Sequence, residues 1–111
     1  MIRSLGKITV PSPGTPIRLT ANEVDSNKRL ACHSMLIEAL PGNTGKIYIG
    51  QNSSMNKTTL AFVIAILPVP TANLIASFSV TAYVAAGFHA DQLWIDVDVA
   101  NEGVLASYTQ V

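Results

Sequence analysis

Three groups of residues in this chain have types and spacing that could do chemistry. The first is Asp96-x-Asp98, with Asn101 and Glu102 close behind. In an extended strand alternate side chains share a face about 7 Å apart, so the two carboxylates could share a cation. A calcium ion wants about six to eight oxygens, which two carboxylates and their neighbours do not reach. A solvated acidic strand face explains the pair more simply. The second is "PGNTGK", Pro41 to Lys46. A phosphate loop has the spacing GxxxxGK followed by Ser or Thr. Here Leu40 stands where its first glycine belongs and Ile47 follows Lys46, so the magnesium hydroxyl and the helix N-terminus are both missing. Pro41, Gly42, Asn43 and Gly45 are instead turn formers, through a fixed φ or a permitted φ > 0, and predict a structural hairpin. The third is Cys32-His33, whose side chains a strand sends to opposite faces, against a thiolate–imidazole pair. His33 and His89 are far apart, and neither sits at ligand spacing with a carboxylate or thiol. Trp94, beside the aspartates, could stack on a sugar or base, and is also what an interface anchor looks like. No catalytic residues, metal or cofactor are expected.

The elements that must position these residues read with period two almost throughout. In "LWIDVDVA" Leu93, Ile95, Val97 and Val99 fall on one face and Trp94, Asp96 and Asp98 on the other. Reversing that register would bury Trp94 with two unpaired carboxylates, so the first set is assigned to the core. "NEG" then predicts a three-residue hairpin loop with φ > 0 at Gly103, and "VLASYTQV" the returning strand. "IASFSVTA" turns Phe78 and Val80 inward, and "KIYIGQ" does the same with Ile47 and Ile49. "TPIRLTA" follows the breaker-rich "PSPGTP", and Pro16 places its start at a sheet edge. "LACHSMLIEAL" has a helical composition but strand neighbours. "TLAFVIAIL", containing Leu60, Phe62 and Ile64, is apolar on both faces. It is either a central strand covered on both sides or a strand at a subunit contact. No stretch combines a cap, ten residues and a 3.6-residue period, so no helix is expected. About eight strands in one domain over residues 1–111 predict an antiparallel β-sandwich of jelly-roll form. An immunoglobulin-like sandwich is the alternative, without its Cys…Trp…Cys spacing.

Composition narrows the function. A chain of 111 residues can bury roughly 65% of its unfolded surface, enough for a core without staples. It is 49% apolar and only 13% charged, which suggests a surface partly covered by neighbours. Seven basic residues balance seven acidic ones, unlike a nucleic-acid binder. The basic residues all lie within the first 57 positions, leaving formal charges of about +4 and about −4 on the two parts. Either the parts interleave and neutralise each other, or a basic face of one copy meets an acidic face of the next. The N-terminus lacks a signal-peptide apolar run, and "LAFVIAILPVP" is about half a membrane span. With Cys32 as the one cysteine, no internal disulfide forms.

"TPIRLTA", then "SMLIEALPGNTGKIYIGQ…MNKTTLAFVIAIL", then "LWIDVDVANEGVL" resembles small virion structural proteins of tailed bacteriophages, over about Thr15 to Leu105. The resemblance implies a non-enzymatic particle component located in the virion. Capsid decoration (cement) is the favoured role, and a tail- or fibre-associated or glycan-binding module the other. The implied partners are the major capsid protein or other virion proteins and further copies of the chain, a trimer being favoured, with no nucleic acid and no membrane. The candidate contact residues are Trp94, Asp96, Asp98, Leu60, Phe62 and Ile64.

Overall fold

A computed structural model describes residues 2–23, 30–71, 76–81 and 88–110. The strands are β1 (Ile2–Val10), β2 (Ile17–Arg18), β3 (Ala31–Ala39), β4 (Ile47–Gly50), β5 (Val63–Leu67), β6 (Ser77–Thr81), β7 (Phe88–His89), β8 (Trp94–Val97) and β9 (Glu102–Gln110). One 3-10 turn, Ala90–Gln92, leads into β8. All pairings are antiparallel, in two sheets ordered β1-β9-β3-β6 and β2-β8-β4-β5, with β7 on β3.

The pairs β1·β9, β2·β8, β3·β6 and β4·β5 are those of one long hairpin rolled up until its sides meet. That is jelly-roll connectivity, and it decides against the immunoglobulin-like arrangement. The core lies between the sheets. Ile8, Val10, Ile37, Val104 and Ala106 come from one side, and Ile47, Ile49, Leu67, Ile95 and Val97 from the other. Leu93 is buried as its register requires, and Phe78 packs against the core. The side chain of Val80 lies outside the described part. Val99 departs from expectation at 41% exposed, because β8 stops at Val97 and residues 98–101 turn over the end of the sandwich.

Both expected hairpins are corrected. "PGNTG" joins β3 in one sheet to β4 in the other, and the 98–101 turn joins β8 to β9 across the same gap. They are sheet-to-sheet crossovers. A rolled hairpin makes its tight connections between layers, and short Gly- and Asn-rich sequence serves either purpose. The central-strand option for "TLAFVIAIL" is also overturned, since β5 ends the second sheet's order and pairs only with β4 among the described residues. Each sheet mixes strands from the basic and acidic parts of the chain, so those parts interleave.

Candidate interaction surfaces

The two crossovers are clamped to each other. Asn43, buried, donates from Nδ2 to the Gly103 carbonyl (2.8 Å) and accepts from the Gly103 amide (3.4 Å). Glu102 accepts from the amides of Thr44 (2.7 Å) and Gly45 (2.9 Å) and from the Thr44 hydroxyl (2.9 Å). Burial pushes the Glu102 carboxyl up, but those three donors outweigh it and hold the group below its ordinary value. The left-handed residue of the turn is Asn101 (φ 66°), not Gly103. Gly103 sits inside β9, where a Cβ would collide with the Ile8 carbonyl oxygen. Gly42 and Gly45 are not left-handed either. A Cβ on Gly45 would meet Asp98 Cβ at 2.9 Å, whereas one on Gly42 would meet open space. These residues are structural, but close approach and side-chain clamping set them more than φ does.

The acidic strand face is only half as expected. Asp96 is 1% exposed. Its Oδ1 accepts from the amides of Gly14 (3.0 Å) and Val97 (2.8 Å), so the Pro11–Thr15 loop covers it and it offers nothing to a partner. Asp98 stays exposed, ion-paired with Lys57 (3.4 Å) and accepting from the Tyr48 hydroxyl (3.3 Å). Burial, then the charge and hydrogen bond of Asp98, raise the Tyr48 phenol above its ordinary value. Lys57 also donates to the Val97 carbonyl (2.9 Å). A basic side chain of the first part and an acidic one of the second therefore pair within one chain here. Among the described residues no group of three or more His, Cys, Asp or Glu is placed to hold a metal ion.

The thiol and imidazoles stay apart from any such cluster. Cys32 is sealed in the core, and burial pushes its thiol up to about 11, while His33 is half-exposed. His89 Nδ1 is buried without a hydrogen-bond partner among the described residues. Trp94 is half-buried, with the Arg18 guanidinium 4.8 Å from its ring centroid. Arg18 is tethered in turn to the Asp91 carbonyl (3.1 Å). A sugar stacking on that ring face would first have to displace the guanidinium.

Among the described residues two open surfaces stand out. On β5 and the turn before it, Leu60, Phe62, Ile64 and Ile66 are 48%, 53%, 40% and 42% exposed. Leu60 (φ 63°) and Phe62 (φ 60°) hold left-handed backbone, costing of order 1–3 kcal/mol each for side chains of this kind. A pinned loop enforces it. Asn56 Oδ1 accepts from Thr58 and Thr59, Asn56 donates to the Ala61 carbonyl, and Gln51 to that of Phe62. Met55 plugs the loop onto Gly50, where a Cβ would lie 2.7 Å from its sulfur. The other surface, which reading for chemistry missed, is the outer face of the first sheet. Cross-strand rows there include Ser4, Ser107, Leu36 and Ser79, and Lys7, Leu105, Glu38 and Ser77. Its signal was present in the alternation of Leu105, Ser107 and Thr109 with Val104, Ala106 and Tyr108. Compared with protein-family models, curated proteins and solved structures, the chain matches none.

Proposed function

We propose that the protein is a non-enzymatic structural subunit of a tailed-bacteriophage virion, a capsid decoration protein that binds the shell as a small symmetric oligomer, with a trimer favoured. The observation that carries this reading is how the polar groups are used. Asn43, Asp96, Asp98 and Glu102, which a site for chemistry would draw on, serve to tie loops to strands. Large apolar side chains stay open on a braced loop and strand. Investing polar groups in rigidity and leaving apolar area outside suits a subunit that docks. The clamped crossovers bring together "PGNTG" and "NEG", two of the stretches that carry the resemblance to virion proteins. Counting copies per purified particle by quantitative mass spectrometry tests the reading. Hundreds per virion are expected of a shell protein. A few copies would move it to the tail, and absence from particles would refute it.

A further inference from the structure

We infer that Leu60, Phe62, Ile64 and Ile66 form the contact between copies of this chain, each row meeting the same row of a neighbour about a symmetry axis. This deepens the reading above and rests on it only for the expectation that copies associate. Area is the first argument. Four side chains at 40–53% exposure offer roughly 350 Å² of apolar surface, at about 150–250 Å² for a large side chain fully exposed. A standard interface takes about 800 Å² from each partner, about 65% of it apolar in homodimers, or roughly 500 Å². The row alone supplies most of that apolar share.

The second argument is what can match it. Among the described residues the other large exposed apolar side chains are Ile2, Leu36 and Leu105, on the first sheet among Ser4, Ser34, Ser77, Ser79, Ser107 and Thr109, and Val69 and Val99, in the segments that follow β5 and β8. They are spread over the molecule rather than gathered on one segment of chain. The row itself contains no charge, so copies related by a rotation axis can bring it together without like-charge repulsion. The third argument is preorganisation. Phe62 and Leu60 are held outward on left-handed backbone by the hydrogen bonds of Gln51, Asn56 and Val63, so little ordering remains for association. Among the described residues β5 is paired with β4 alone, at the end of the second sheet's order.

The test is sedimentation equilibrium of the pure full chain with Ile64→Asp, Ile66→Asp and, as control on the other sheet, Leu105→Asp. Wild type and Leu105→Asp should share one oligomeric mass, which reads the symmetry directly. The two β5 variants should raise the dissociation constant at least about 100-fold while still melting cooperatively, near the melting temperature of wild type diluted to monomer. Ile66→Cys should join to itself through a short bis-maleimide linker, and Leu105→Cys should not. Oligomers that survive both β5 substitutions, or a wild type monomeric at about 100 μM, would overturn the inference. Co-sedimentation of wild type with phage particles reads the virion assignment separately. A monomer that binds particles sinks the row contact alone, and a row-dependent oligomer that ignores particles sinks the virion assignment alone.

Discussion

Replacing Asn43 with alanine tests whether "PGNTG" acts as a local turn or as half of a clamp. The carboxamide makes one short bond to the Gly103 carbonyl (2.8 Å) and a longer one from the Gly103 amide (3.4 Å), both buried. The carbonyl keeps a second donor, the Leu40 amide at 3.1 Å. The substitution thus forfeits one good hydrogen bond, at about 1 kcal/mol net, and weakens the satisfaction of a buried amide, at about 1–2 kcal/mol. The total is about 2–3 kcal/mol. For a chain of 111 residues each kcal/mol moves the melting temperature by about 4 °C, so a fall of about 8–12 °C is expected in thermal circular dichroism. Gly42→Ala is the matched control. Its Cβ meets nothing within 4 Å and its backbone is not left-handed, so it should stay within about 2 °C of wild type. If the motif worked only through turn conformation, the order would reverse. An Asn43→Ala protein melting within about 2 °C of wild type would refute the clamp.

Gly103→Ala must drive its Cβ into the Ile8 carbonyl, which parts β1 from β9, so a loss above about 4 kcal/mol and little soluble folded protein are expected. Wild-type yield and stability would contradict that. The Glu102 carboxyl is lowered from 4.5 in the folded state, so its contribution is complete above that value and disappears as pH falls through the lower folded one. Melting temperature followed from pH 6 to pH 2 should therefore drop more steeply for wild type than for Glu102→Gln below about pH 4.5, and parallel curves would oppose the assignment. Cys32, buried and raised to about 11, should resist a thiol reagent at pH 8 until the protein is unfolded in denaturant. Rapid labelling of the native protein would show the core to be open there.

Period-two alternation is a local property, so the strands and the inward set Ile47, Ile49, Leu93, Ile95 and Val97 could be read from residue order alone. So could the failure of "PGNTGK" as a phosphate loop and the edge position of Ile17–Arg18 after Pro16. Layer assignment is not local. Whether "PGNTG" turns back within a sheet or crosses to the other depends on which strand β3 finds as a neighbour. Its neighbours are β9, more than sixty residues further along the chain, and β6, about forty further along. The same distance hid the roles of individual side chains. Asp96 follows the alternation that made it a solvated acid, yet a loop some eighty residues earlier folds down on it. Asn43 and Glu102 find their partners about sixty residues away. Leu60 and Phe62 read as part of an apolar strand until the Asn56 hydrogen bonds set them in left-handed backbone, facing out. Residue order decided which side chains had to leave water. Closure of the roll decided which polar groups followed them in and which apolar ones stayed outside, because that depends on contacts made only when distant strands meet.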